Sequence, residues 1–410
     1  MIETYPQAVT WLFEQFPSYQ NIGAGAYKPG LYQTEELLRR LQIHPDFERI
    51  IHVAGTNGKG STCAYISSIL TEKGEKVGLF SSPHIFDYRE RIRINGTQIE
   101  ENAVIDFCQR VLHLNLEFEP SFFEITFAMA LDHFQRNQCD SIVIETGMGG
   151  RLDSTNVLTP NISVITNIGL DHTQFLGDTL TEIAGEKAGI IKRKTPVVIG
   201  TRQDQTTNVF LEKASEQEAP IYFSDSEQIS IPENLELPLL QQVNLKTALS
   251  TLHHLQIPVS KELFIRAVQK LSINTGLFGR LSKIGTAPLT YLDVSHNSDG
   301  IKATMEAVSH LSFGQLHLIY GAAQDKNVNE ILPLFPQNAQ IHLCEFKNNR
   351  SLSFPQLVDL QKSDARVATV ATDINDLLIN IRKNADENDL ILVTGSFFLL
   401  SDIDLERINQ

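Results

Sequence analysis

The chain has 410 residues, 42% of them hydrophobic and 20% charged, with a formal net charge of −15. That length exceeds what one core normally holds, so two domains are expected, with the composition of an ordinary soluble globular protein. The acidic balance argues against a nucleic-acid partner, which needs an electropositive footprint, and confines any anion site to a local basic pocket.

From the N-terminus, Val9, Trp11, Leu12, Phe13 and Phe16 describe an amphipathic helix rather than a signal peptide, because no basic flank precedes an apolar core. Short apolar strands are expected at Ile50–Ala54, Lys76–Ser81, Ser141–Thr146, Ile162–Thr166 and Val197–Ile199. Helices are expected between them at Ser61–Lys73, Asn102–His113, Glu124–Arg136 and Leu180–Ile190. This alternation predicts a mostly parallel sheet covered on both faces, with ligands at the carboxyl ends of the strands. Gln228–Leu239 reads as irregular, and helices follow near Val243–His254 and Lys261–Leu271.

Ser272–Arg280, with Asn, Thr and two glycines, reads as a linker. A second series of strands then starts at Leu289–Val294 and continues at Leu316–Tyr320, Gln340–Leu343 and Leu390–Thr394. Its helices are expected at Gly300–Leu311, Ile374–Asn384 and Phe397–Asp404. The expected domains are residues 1–275 and 276–410, the second a smaller Rossmann-like α/β domain. Cys63, Cys108, Cys139 and Cys344 have neither metal nor redox spacing and read as reduced thiols. No apolar run is long enough to span a bilayer, so a cytoplasmic protein is expected.

Three motifs carry chemistry. In Ile50–Ser61 an apolar run ends in Gly55-Thr56-Asn57-Gly58-Lys59-Gly60-Ser61. Backbone N–H groups of such a loop point at phosphate oxygens, Lys59 neutralises the β/γ-phosphates, and Ser61 ligates Mg²⁺. It is a variant loop, with Val53 where the standard form has its first glycine and an extra glycine between Lys59 and Ser61. A plain turn would be an expensive use of three glycines. The second motif is Glu145-Thr146-Gly147-Met148-Gly149-Gly150-Arg151-Leu152-Asp153-Ser154-Thr155-Asn156, where a strand-end carboxylate suits Mg²⁺ beside phosphates. The third pairs Asp171-His172 with Gly185–Lys192. Composition alone leaves His172 a polar loop residue and Lys187 a solvated one.

The loop His52–Ser61, the Ser81-Ser82-Pro83-His84 stretch, Ile144–Val157 and Gly169–Lys192 together resemble the folylpolyglutamate synthase and dihydrofolate synthase family of the Mur-ligase superfamily. The resemblance runs from about Tyr27 to the C-terminus. It implies a central P-loop domain of Mur-ligase type, mostly parallel, followed by the smaller C-terminal domain. It also implies ATP and Mg²⁺ as cofactors. Ser82 would ligate one Mg²⁺, Glu145 would bridge two, and His172 would hold the second. Lys187 matches a lysine that is carbamylated in the family, which turns a cation into a metal-binding carboxylate; an unmodified ammonium would repel Mg²⁺. Asn244 would lie near the adenine, Arg280 at nucleotide phosphate, and Asp293 and His296 against the nucleotide. Ser396 would lie on the glutamate side.

Ser121-Phe122-Phe123-Glu124 resembles the family's pterin-contacting stretch, and Asp153 is grouped with it. Two aromatics and a carboxylate suit a flat heterocycle with amino groups. Phe122, Phe123, Phe127 and Leu131 also describe one apolar helix face, which periodicity alone favours. Residues 24–31 match a loop covering that site. Three departures stand out: Ser295-His296-Asn297-Ser298 where the family has Ala-His-Asn-Pro, Asn327 where it has Asp, and Leu240-Gln241 where it has His-Gln.

The implied reaction is bifunctional. ATP activates the carboxylate of dihydropteroate or of a reduced folate as an acyl phosphate, and the amine of L-glutamate displaces phosphate. The resemblance suggests a monomer. The alternatives are another Mur-type amino-acid ligase, or an inactive nucleotide-binding regulatory paralogue, which the altered C-terminal motifs motivate.

Overall fold

The computed structural model describes residues 2–16, 30–229, 231 and 237–408. The expected pterin-covering loop therefore lies outside the described residues except for Gly30 and Leu31, as does much of the stretch read as irregular before Leu239. The chain forms two compact units, Met1–Leu277 and Phe278–Gln410.

In the first unit, runs rich in Ile and Val form β1 (Arg49–Ala54), β2 (Val77–Phe80), β5 (Ser141–Glu145), β6 (Ile162–Ile165) and β7 (Val197–Ile199). Two short strands, β3 (Ile92–Ile94) and β4 (Thr97–Gln98), and an edge strand β8 (Ile221–Phe223) complete an eight-stranded sheet ordered β4-β3-β2-β5-β1-β6-β7-β8. Every pair is parallel except β2–β3 and β3–β4. Asn95 and Gly96, both at positive φ, turn the β3–β4 hairpin. Strands of two and three residues carry too little period to be read from sequence, which is why this hairpin was not expected.

Apolar cores form on both sheet faces. One includes Phe80, Phe107, Phe127 and Phe134, under the helices Tyr5–Gln15, Tyr32–Leu41, Glu101–His113 and Phe122–Arg136. Gly78 is required there, because a Cβ would lie 2.7 Å from the Phe134 ring. The other core holds Ile66, Ile69, Leu70, Leu245 and Leu252. The helix Lys59–Lys73 is buried on all sides from Ser61 to Leu70, packed beneath the helices Leu239–His254 and Lys261–Gln269. Of its serines, Ser68 is held by bonds to the neighbouring helices: its Oγ donates to Ala267 O at 2.7 Å and accepts from Asn274 Nδ2 at 3.0 Å.

The second unit contains β9 (Ser282–Thr286), β10 (Leu289–Leu292), β11 (Leu316–Tyr320), β12 (Gln340–Cys344), β13 (Val367–Ala371) and β14 (Leu390–Thr394), ordered β13-β12-β11-β14-β10-β9. Only β9–β10 is antiparallel. The fold class is therefore the expected one, a large parallel-rich sheet followed by a smaller α/β unit. Among the described residues, no helix is long and apolar enough to cross a membrane.

Two buried histidines, His52 and His342, and the partly buried His84 make this fold acid-sensitive. Burial first, then the Lys192 charge, holds His52 down at about 3. Burial and Arg91 do the same to His84, also about 3. Burial and His317 take His342 to about 4. All three are neutral in the fold, whereas an unfolded histidine titrates near 6.5, so the unfolded chain binds more protons below that value. Their contribution is complete above pH 6.5 and is lost as pH falls towards 3–4. The urea midpoint should therefore decline from pH 6.5 to 4, and a flat profile would contradict this account.

Candidate active site

At the carboxyl end of β1 the chain turns through Gly55 at φ +148° and Gly58 at φ +84°. Side chains are excluded at both positions. A Cβ on Gly55 would lie 1.9 Å from Thr166 Oγ1, and one on Gly58 would lie 2.2 Å from Asn244 Oδ1. Gly58 caps the fifteen-residue helix Lys59–Lys73, whose first turn presents Lys59, Gly60 and Ser61. Free N–H groups at such an end, together with the positive pole of the helix dipole, attract phosphate.

The loop is clamped by the segment that follows β6. Thr56 N–H donates to Asn167 O at 2.9 Å, and Asn57 N–H to Asn167 Oδ1 at 2.9 Å. Thr56 Oγ1 exchanges bonds with Gly169, accepting from its N–H at 3.0 Å and donating to its carbonyl at 3.2 Å. Thr166 Oγ1 donates to Asn57 O at 2.7 Å. Thr166 was expected only as a strand end, Gly169 only as the start of the Gly169–Lys192 stretch, and Asn167 carried no expectation; their signal for this clamping was their place just before Asp171-His172.

Two ammonium groups converge on the loop. Lys59 Nζ donates to Gly55 O at 3.1 Å and Thr56 O at 3.2 Å. Lys187, in the helix Leu180–Ala188, donates to the same Gly55 carbonyl at 2.9 Å and is buried. Burial, and then the Lys59 charge, pull the Lys187 amine down to about 7, against weaker opposition from Asp171 and Asp153. It is thus available as a neutral amine near neutrality.

Glu145 ends β5 in register with Val53 and is buried. Its Oε2 accepts from Ser82 N–H at 3.1 Å and would lie 3.4 Å from a Cβ on Gly60. The carboxylate therefore sits between the phosphate loop and Ser82, with buried Ser61 one residue beyond Gly60. His172 adopts φ +51° and opens the short helix Thr173–Leu176 in the segment after β6, its N–H bonded to Asp171 Oδ1 at 3.0 Å. Among the described residues no group of three or more His, Cys, Asp or Glu is placed to hold a metal ion by itself. What the site offers is one carboxylate, hydroxyls and an adjoining phosphate cradle, the donor set that Mg²⁺ shares with nucleotide phosphates. Buried Thr62 Oγ1, Thr146 Oγ1 and Asn244 Nδ2 have no hydrogen-bond partner among the described residues. All three lie in or beside this loop, as expected of a cradle that completes its bonds with a ligand.

The residues expected to face a pterin divide. Phe122 is buried, stacked on Phe13 at 4.5 Å, with the Arg91 guanidinium 5.3 Å from its ring. Phe123 is half-buried and lies against Gly147, where a Cβ would be 2.7 Å from its ring. Glu124 is a buried capping residue: Oε2 accepts from Ser121 N–H at 2.7 Å and Oε1 from Thr34 Oγ1 at 3.1 Å. Asp153 is also wrapped by the chain's own donors, the N–H groups of Met148 and Thr155 and the Thr155 hydroxyl.

In the second unit, Asp293 follows β10 and accepts from Leu281 N–H, Ser295 N–H and Thr304 Oγ1 at 2.9–3.0 Å. The Phe397 ring lies 5.4 Å from the Arg280 guanidinium and 6.1 Å from the His296 ring. Ser396 follows β14 and caps the next helix through its hydroxyl. Arg280, His296 and Phe397 thus form one cluster, and Asp293 and Ser396 lie at carboxyl ends of neighbouring strands.

Comparison with known proteins shows the family. Residues 53–280 match the Mur ligase middle domain and residues 279–397 the Mur ligase glutamate ligase domain. The chain is 32% identical to the dihydrofolate synthase/folylpolyglutamate synthase of Bacillus subtilis, over 98% of this chain and 99% of that protein. Among solved structures it resembles the bifunctional folylpolyglutamate synthase/dihydrofolate synthase of Yersinia pestis complexed with AMPPNP and Mn ion. The TM-score is 0.84 and the identity 27%, over 97% of each chain. It resembles equally the Escherichia coli FolC protein in complex with DHPP and ADP, with TM-score 0.84 and 26% identity, covering 97% of this chain and 96% of that one. The chain belongs to the dihydrofolate synthase/folylpolyglutamate synthase family of Mur ligases.

Proposed function

We propose that this protein is an ATP-dependent carboxylate–amine ligase that adds L-glutamate to dihydropteroate, to reduced folates, or to both. The observation that carries the reading is the convergence of Gly55–Ser61, Glu145, Ser82 and Lys187 at one sheet edge in a chain of this family. The loop amides and Lys59 hold the triphosphate, and Asn244, pressed against Gly58, lies on the nucleotide side. Ser61, Ser82, Glu145, His172 and a carbamylated Lys187 are the residues that would hold Mg²⁺. The cation supplies charge neutralisation on the transferring phosphoryl group.

The substrate carboxylate attacks the γ-phosphorus, the bond to the β-phosphate oxygen breaks, and ADP leaves. The amine of L-glutamate then attacks the acyl carbon, loses a proton, and expels phosphate. Lys59 and the loop N–H groups stabilise the charge that moves onto the phosphate oxygens. No covalent enzyme intermediate is required, so the chain's work is positioning and water exclusion. Phe123 and the Gly147 turn offer a flat wall for the pterin, framed by Phe122, Glu124 and Asp153. We assign Arg280, Asp293 and His296 to the nucleotide and Ser396 to the glutamate side. The four cysteines are buried free thiols, which supports a cytoplasmic enzyme, and we take it to act as a monomer on small molecules.

Mass spectrometry of mixtures containing ATP, L-glutamate and either dihydropteroate or tetrahydrofolate should show added glutamyl units. ADP formed equally fast without glutamate would overturn the ligase reading. Gly58→Ala places a Cβ in a forbidden contact with Asn244 at positive φ, so AMPPNP affinity measured by calorimetry should fall by at least about tenfold. Lys187→Ala should abolish turnover without unfolding the chain. A neutral Lys187 amine takes up CO₂ and releases a proton. Turnover of CO₂-depleted enzyme should therefore drop and recover with bicarbonate above pH 7, and recover poorly below it. Indifference to bicarbonate would remove carbamylation from the mechanism.

A further inference from the structure

Residues 147–156 connect two of the groups assigned to the cation, Glu145 and Lys187, and they are bonded at both ends. At the first end, Asp153 Oδ2 accepts from Met148 N–H at 2.8 Å, while Oδ1 accepts from Thr155 N–H at 3.0 Å and Thr155 Oγ1 at 2.5 Å. The Thr155 hydroxyl has one proton, and Asp153 takes it. The 2.7 Å contact between Thr155 Oγ1 and His52 Nε2 must therefore be donated by the ring, which fixes the Nε2–H tautomer. His52 lies on β1, opposite Ile144 of β5 and three residues before Gly55. The strand that carries the phosphate loop is thus tied through one imidazole to the turn that follows Glu145.

At the second end, Asn156 Nδ2 donates to Arg151 O at 3.0 Å and Gly189 O at 3.1 Å. Arg151 N–H donates to Glu186 O at 2.7 Å. The backbones meet closely because Gly150 and Gly189 have no side chains. A Cβ on Gly150 would lie 2.9 Å from the carbonyls of Glu186 and Lys187, and one on Gly189 would lie 2.3 Å from Arg151 Cβ. The end of the helix carrying Lys187 is thereby locked to the same segment.

We propose that His52, Thr155 and Asn156 are positioning residues that hold Glu145, the phosphate loop and Lys187 in one frame, and so set the affinity for the metal–triphosphate complex. This rests on the reading of the site as a nucleotide-dependent ligase. None of the three touches substrate in the mechanism above. Their effect is transmitted by main-chain geometry, as with the outer partners of metal ligands generally, whose loss costs tenfold or more in metal affinity.

Thr155→Val keeps the shape and removes the hydroxyl; Thr155→Ser keeps the hydroxyl. In calorimetry with Mn²⁺·AMPPNP, Thr155→Val should bind about tenfold more weakly, with Thr155→Ser within about threefold of the unsubstituted protein. In turnover, KM for Mg²⁺·ATP should rise about tenfold for Thr155→Val while KM for L-glutamate stays unchanged, a split that loss of folded protein, which lowers kcat alone, would not produce. If Thr155→Val does not fold, His52→Gln, whose amide can donate to Thr155, against His52→Leu, which cannot, makes the same comparison. Folded Thr155→Val or His52→Leu protein binding Mn²⁺·AMPPNP like the unsubstituted chain would overturn the inference. Absence of glutamyl product from the unsubstituted chain would instead overturn the ligase reading, and the binding comparison would still decide whether the frame sets nucleotide affinity.

Discussion

Two lysine ammonium groups share one carbonyl oxygen. Lys59 and Lys187 both donate to Gly55 O, which brings their nitrogens within about 6 Å of each other in a largely buried place. Like charges at that separation repel by about 3 kcal/mol at an effective dielectric near 20, and burial of Lys187 adds to the cost of charging it. The arrangement is relieved when Lys187 is neutral, which is the direction its amine is driven. It would be relieved further by converting that amine into a carboxylate beside a cation. One backbone carbonyl thereby sets two chemically identical side chains in unlike surroundings, and much of the site is built to hold that carbonyl still.

Holding it still is a packing problem solved with glycine. The loop leans on Thr166, the turn after Glu145 leans on Phe123, and the Gly150 segment leans on the end of the helix carrying Lys187. Each approach is closer than a Cβ would allow. The entropic cost of these glycines is offset because the backbones they bring together are bonded across the gap, as at Thr56 to Asn167 and Arg151 to Glu186. In such a frame a methyl group in the wrong place displaces two strands' ends at once, so the loops are as constrained as a core.

The parts of this arrangement legible in the sequence were those whose residues are adjacent. Gly55–Ser61 announces a phosphate cradle because all its donors come from one turn, and Glu145 stands out beside a glycine-rich run. Strand–helix alternation gave the parallel sheets for the same reason, since periodicity is local. What could not be read were contacts between residues about a hundred positions apart: Thr56 with Gly169, Asn57 with Asn167, His52 with Thr155. A histidine in an apolar strand reads as core until its ring is seen to meet a hydroxyl. Glu124 shows the converse. Ser121 three residues earlier makes it a capping partner, and that spacing was already present in the sequence.

The departures in the C-terminal motifs can be weighed on the same physical basis. Ser298 stands at the first position of the helix Ser298–Ser309, where proline is favoured because its fixed φ suits that position and its missing N–H costs nothing. Serine adopts that position as well, and the capping itself is done by Asn297, whose Oδ1 accepts from Gly300 N–H at 2.8 Å. Ser295 replaces a residue without a hydroxyl and gains a bond with Thr304 Oγ1 at 2.9 Å, on the residue that also donates to Asp293. Asn327 donates to Glu330 Oε1 at 2.6 Å ahead of the next helix turn. Ser295 and Asn327 are each accommodated by a local hydrogen bond, Ser298 takes up its helix position beside the Asn297 cap, and Asp293 and the cluster of Arg280, His296 and Phe397 remain in place. The altered letters therefore change how the second unit's loops are held more than the groups those loops present, which favours a working ligase over an inactive paralogue.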